Sequence, residues 1–169
     1  MPDFPPPTVE LSAELAPLRA VARLSTDYVL RVVETVMSAL GDLLEGLILI
    51  TVVRCNTEHL SASQRGGAGT TPQDFVTDSL RRPVRVSTIA WRLGLPMETV
   101  RRHAAGLVDR GLCVKTRGGL IAPAEALARP AFIQFMAENL INLHRMFAGL
   151  AQLGVLQAWD DLNPRSVLV

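Results

Sequence analysis

The chain has 169 residues, 49% of them hydrophobic and 5% aromatic, with 17 basic and 16 acidic residues for a net charge of +1. That apolar content excludes an intrinsically disordered chain and suffices for one or two small packed domains, while the abundance of Leu, Ala and Val over aromatic residues predicts a mostly helical class. Two cysteines, Cys55 and Cys113, are too few for a disulfide scaffold, so a reducing cytoplasm is the expected setting and both are read as small core residues.

Met1 to Pro7 is proline-rich and lacks the basic start and apolar run of a secretory signal; residues 1–25 are expected to be partly disordered. Within them Leu11, Leu15, Leu18 and Val21 have near-helical spacing interrupted by Pro17, which predicts one or two short helical turns. Ser25 and Thr26 offer N-cap side chains for a long helix from Asp27 to Asn56, within a segment 26–60. Its stripe of Val29, Val33, Val36, Leu40, Leu43, Leu47 and Ile50, widened by Leu30, Met37 and Leu44, must be covered by other helices or by a second subunit. The most lipid-like stretch, Gly46 to Val53, is far shorter than the about 20 apolar residues that a bilayer requires, so no membrane span is expected.

Residues 61–70, rich in Ser, Gln, Gly and Ala, read as a linker, and Thr71-Pro72-Gln73-Asp74 opens a short helix expected to reach Arg81 before Pro83 stops it. From Ser87 to His103 the sequence fits two helices crossing over a tight turn. Such a crossing needs a small residue at the contact, a residue tolerant of positive φ in the turn and a β-branched residue on the second helix, the positions of Ala90, Gly94 and Val100. Ser87 is the expected cap of the first helix, and Pro96 opens the second, whose exposed side carries Met97, Glu98, Thr99, Arg101, Arg102 and Ala105. Gly118-Gly119, between two β-prone runs, predicts a two-residue hairpin with both glycines at positive φ and with Lys115 and Arg117 at its tip. Ala131 to Leu153 then carries a second amphipathic stripe of Ile133, Met136, Leu140, Leu143, Phe147 and Leu150, and Asn163-Pro164 starts a loose end to the segment 124–169.

Charge is unevenly placed along the chain. Ser79 to Gly118 holds nine Lys or Arg against Glu98 and Asp109, which leaves eight basic and fourteen acidic residues elsewhere. A basic run of this density marks a surface that meets a polyanion, although a merely solvated face has the same composition.

On these residues the segment 84–123 resembles the winged helix-turn-helix of bacterial transcriptional regulators such as the MarR and IclR families. Thr99-Val100-Arg101-Arg102-His103 and Leu107-Val108-Asp109-Arg110-Gly111-Leu112 are similar to their recognition helix and its exit into the wing. The hairpin is shorter than in the MarR family and lacks its Asp-x-Arg signature. The resemblance implies a mostly α fold with a small β-hairpin wing, in which a winged helix-turn-helix domain at 71–123 is flanked by long N- and C-terminal dimerisation helices. It implies a homodimer that binds double-stranded DNA, with helix 96–109 in the major groove and wing 113–122 on the backbone or minor groove. Arg101 and Arg102 would meet guanine or phosphate, and Glu98 a cytosine amine. Met97 lies on the same face, Ser87, Thr88 and Thr99 would hold the backbone, and Lys115 and Arg117 would reach phosphate or the minor groove. The dimer interface would take Val33, Val36, Leu40, Leu43, Leu47, Met136, Leu140, Leu143, Phe147 and Leu150.

Two other readings stay open: a winged helix used as a protein-interaction module without DNA, and a regulator with a small apolar effector between its long helices. Cys55 and His59 have ligand spacing but no third partner nearby, so no metal or other cofactor is expected. His103 is read as a partly buried, hydrogen-bonded side chain, His144 as exposed or interfacial, and Trp91 and Trp159 as packing residues. No paired carboxylates, nucleophile elbow, phosphate-binding loop or dinucleotide fingerprint is present, and no enzymatic activity is expected.

Overall fold

The computed structural model describes residues 18–65 and 69–156. These are mostly helical, with one small antiparallel hairpin. They divide into two compact units, one spanning Val32–Asn139 and the other made from the chain's two ends, up to Arg31 and from Leu140.

The long helix expected from Asp27 to Asn56 is two helices. Helix α1 (Leu18–Leu40) runs straight through Ser25 and Thr26, and the Ser25 hydroxyl donates to the carbonyl of Ala22, 3.0 Å away, rather than capping an N-terminus. At Gly41, with φ of 76°, the chain leaves the helix, and Asp42 starts α2 (Leu43–Thr57) by accepting a hydrogen bond from the Glu45 amide at 2.8 Å. A helix-ending glycine followed at once by an N-cap aspartate turns the chain by 95°. Gly46 packs the bend, because a Cβ there would collide with Cγ1 of Val36. Among the described residues, no single helix is long and apolar enough to cross a membrane.

In the unit spanning Val32–Asn139, α2 is the central element. Ile48, Leu49, Val52 and Cys55 are buried, and the helix packs on α4 (Val86–Leu93), α5 (Met97–Asp109) and strand β2 (Gly119–Ile121). The expected linker contains a short helix α3 (Ala62–Arg65), and two 3-10 turns, Pro72–Asp74 and Asp78–Leu80, replace the helix expected to reach Arg81. Thr71 does cap the first of these turns with Asp74. Helix α4 begins at Val86, so Arg85 and not Ser87 occupies the N-cap.

Helices α4 and α5 end in the same way. Gly94 takes φ of 64° and Leu95 donates to the Ala90 carbonyl at 3.0 Å; Gly111 takes φ of 66° and Leu112 donates to the Leu107 carbonyl at 2.8 Å. Each pairing of a left-handed glycine with a hydrogen bond reaching back five residues satisfies carbonyls that a helix end would leave orphaned. Between them Ala90 is buried where α4 meets α5, and Val100 is fully buried.

Strand β1 (Val114–Thr116) pairs with β2 in the register Val114 to Ile121, Lys115 to Leu120 and Thr116 to Gly119. The turn residues are therefore Arg117 and Gly118, one position earlier than expected, and only Gly119 has positive φ, at 137°. Gly119 is demanded by the opposite neighbour. Val84 bridges Leu120 with hydrogen bonds of 3.0 and 2.8 Å, and a Cβ on Gly119 would collide with the Val84 carbonyl. The buried Asn56 side chain donates to the carbonyls of Arg82 and Leu120 at 2.8 and 3.1 Å and accepts from the Ala122 amide at 2.9 Å. Helix α6 (Ala124–Leu127) and α7 (Pro130–Gln152) follow.

In the unit formed by the two ends, Gly149 of α7 lets Leu24 of α1 approach closely, since a Cβ on Gly149 would stand 2.8 Å from Leu24 Cδ2. Leu150 and Val155 are buried there, and Asp27 pairs with Arg31 at 2.8 Å. The proline-rich start, Trp159 and Asn163-Pro164 lie outside the described residues.

Candidate nucleic-acid interface

Helix α5 has no side-chain cap at its N-terminus, where Pro96 enters, and Met97, Glu98, Arg101 and Arg102 are exposed along it. Thr99 is half-buried. Beside this helix the hairpin exposes Lys115 on β1 and Arg117 in the turn. Arg101, Ala105 and Lys115 line one groove of about 230 Å³ between α5 and the hairpin, together with Asp109 and the apolar Val86, Val108 and Leu120. Two expected cations from separate elements thus share one concave surface.

A second, more polar cleft of about 510 Å³ lies at the start of α4, lined by Arg82, Arg85, Thr88 and Gly118 together with Glu58. Thr88 is among the contacts expected from the sequence, whereas Arg82 and Arg85 enter there only as members of the basic run. They belong to an extended segment held to β2 through Val84, which carries both exposed guanidinium groups to the hairpin turn. Ser87 is exposed in the first turn of α4 and lines neither groove.

Folding reduces the basic run. Arg81 is buried, with its Nε donating to the Val76 carbonyl at 3.1 Å. Arg92 forms two hydrogen bonds of 2.7 Å with the Glu58 carboxylate. Arg110 pairs with Glu45 and reaches the Leu40 carbonyl at 3.2 Å. Arg92 and Arg110 are thus exposed but engaged with carboxylates of other elements, and Arg82, Arg85, Arg101, Arg102, Lys115 and Arg117 are the other exposed cations of the nine. Of the two acids on α5, Glu98 and Asp109, Glu98 pairs with Arg101 one helical turn away.

The titratable groups around this surface follow their surroundings. The Arg92 hydrogen bonds hold the Glu58 carboxyl below its ordinary range, and Glu58 in turn raises Arg92. Burial raises the Cys55 thiol and pushes Cys113 up to about 12. His103 is half-buried, its Nδ1 3.9 Å from Asp42 Oδ1 and 4.0 Å from Glu45 Oε1, beyond hydrogen-bond reach of either. Cys55 is buried and His59 exposed, and among the described residues no group of three His, Cys, Asp or Glu gathers to hold a metal ion. Trp91, expected to pack, is 82% exposed on the outer side of α4, and His144 is exposed on α7.

No protein-family model, curated protein or solved structure matches this chain.

Proposed function

We propose that this chain is a sequence-specific regulator of transcription that binds double-stranded DNA through a winged helix-turn-helix, with α4 and α5 as the crossing helices and β1–β2 as the wing. The observation that carries this reading is the groove in which Arg101 of α5 and Lys115 of the hairpin face the same space. A helix flanked by a basic hairpin offers cations at two levels, matching a major groove and the phosphates that border it. In this reading Arg101 and Arg102 face base edges or phosphate, with Met97, Glu98 and Thr99 on the same helix. Arg82, Arg85 and Thr88 take the neighbouring backbone together with Arg117.

The regulator acts as a homodimer in this proposal. In the unit formed by the chain's ends, Val29 and Leu30 of α1 and Leu140, Ile141 and Phe147 of α7 are exposed, with Leu140 at 66%. Large apolar side chains left in water at this density support pairing with a second copy. Val36 and Leu150 are already buried within the single chain and add nothing to that surface. Leu47 and Met136 are exposed, whereas Val33, Leu40, Leu43 and Leu143 are half-buried.

Selection of bound duplexes from fragmented genomic DNA tests the function. A recovered inverted repeat with half-sites about one helical turn apart is the expected result. Recovery of no enriched sequence from a folded protein overturns the reading and leaves the interaction-module alternative. Sedimentation at micromolar concentration checks the dimer, and a well-folded monomer refutes it.

A further inference from the structure

Within the unit spanning Val32–Asn139 there is a cavity of about 420 Å³ that shares no lining residue with the two grooves described above. Its wall is formed largely by Leu49 and Val53 of α2, Phe75, and Phe132 and Phe135 at the start of α7. Arg81 is also on the wall, its side chain only 2% exposed, and it is the buried charged residue among those described.

The hydrogen bonds of Arg81 are incomplete. Its Nε donates to the Val76 carbonyl at 3.1 Å and stands 3.3 Å from Asp78 Oδ1, but Nη1, also buried, has no hydrogen-bond partner among the described residues. Asp78 is a divided counter-ion: the same Oδ1 accepts the Ala124 amide at 2.8 Å, and its side chain is 53% exposed. Two other charged residues line the cavity. Asp74 is held by the Thr71 amide and hydroxyl, and Arg65 adds a second positive charge. Burial opposes the charge on Arg81, yet a guanidinium keeps its proton, so the cation stays in need of an acceptor.

We infer that this cavity binds a hydrophobic monocarboxylate, its apolar body against Leu49, Val53 and the three phenylalanines and its carboxylate on the Arg81 guanidinium. A carboxylate offers paired acceptors matched to the planar fork of arginine, and an apolar body suits the remainder of the wall. A dianion such as a phosphate monoester would carry a larger desolvation cost into the same apolar space. This binding does not depend on the DNA-binding proposal.

Calorimetric titration of the full chain without DNA tests it, using naphthoate and the neutral naphthamide as probes. Naphthoate is expected to bind at least about tenfold more tightly than naphthamide, the preference that a charge-assisted pair provides. Arg81→Met should remove that preference, so that both probes bind alike. Ile50→Trp, at a cavity-lining position that is 43% exposed, should weaken both probes by narrowing the space. Equal affinities in the unmodified protein, no naphthoate binding at millimolar concentration, or a preference retained in Arg81→Met would each overturn the inference. The probe comparison in the unmodified protein decides the matter should Arg81→Met fail to fold.

Discussion

Arg92 of α4 holds Glu58, the residue that follows α2, by two hydrogen bonds of 2.7 Å, so an arginine of the basic run serves to join two helices. The two partners are 34 residues apart in sequence, and both stand at helix ends, where a paired fork fixes direction as well as distance.

That pair has a pH signature. Glu58 has a lowered folded-state value, so its contribution to stability is present above the ordinary glutamate range and disappears as pH falls through the folded value. Glu58→Gln should therefore melt below the unmodified protein at neutral pH, and the gap should close in acid. Thermal melts across that range check it, and a constant gap would contradict the assignment.

The same contrast separates structural arginines from those of the proposed interface. Arg101→Ala and Arg102→Ala should each weaken duplex binding and reduce the slope of log affinity against log salt by about one where a phosphate contact is lost. Arg92→Ala should leave the slope unchanged while lowering the melting temperature. Fluorescence anisotropy over a salt series reads both, and an unchanged slope in the Arg101→Ala, Arg102→Ala double variant would sink the proposed interface.

Two glycines should differ sharply when replaced by alanine. Gly94→Ala meets nothing within 4 Å and bears only the left-handed backbone cost, about 1–2 kcal/mol. Gly119→Ala adds a collision with the Val84 carbonyl to φ of 137°, and should lose about 3 kcal/mol or more, detaching the hairpin from its neighbour. Denaturant unfolding of both variants measures the order, and equal losses would contradict the Val84 bridge.

Cys113 is 1% exposed, and burial alone pushes its thiol up to about 12, so it should resist alkylation in the folded protein and react at an ordinary rate once unfolded. Mass-resolved labelling with iodoacetamide, with and without denaturant, distinguishes this from a reactive thiol.

What could be read in the sequence was local. Ala90, Gly94 and Val100 announce a helix crossing because the small contact, the left-handed turn and the branched core residue all lie within eleven residues. The division between α1 and α2 was hidden because the apolar stripe continues across it, although Gly41-Asp42 places a stop and a start signal side by side. The hairpin turn was displaced by one residue because Gly118-Gly119 suggests a local requirement, whereas Gly119 answers to Val84, which precedes it by 35 residues. Counting charges could not show that Glu58 and Glu45 on or beside α2 would claim Arg92 and Arg110, nor that Arg81 would be enclosed. Trp91 is read as a packing residue, although the stripe of Val86, Ile89, Ala90 and Leu93 leaves it on the opposite face of α4, where it is exposed.

Asn56 makes three hydrogen bonds from one carboxamide, to a loop 26 residues onward and to a strand more than sixty residues onward. Opening any of these segments by itself would strand the others' polar groups in a dry interior, so they should open together. Amide hydrogens of Arg82, Leu120 and Ala122 should therefore exchange with deuterium at a common slow rate, and substituting Asn56 by leucine should release all three at once.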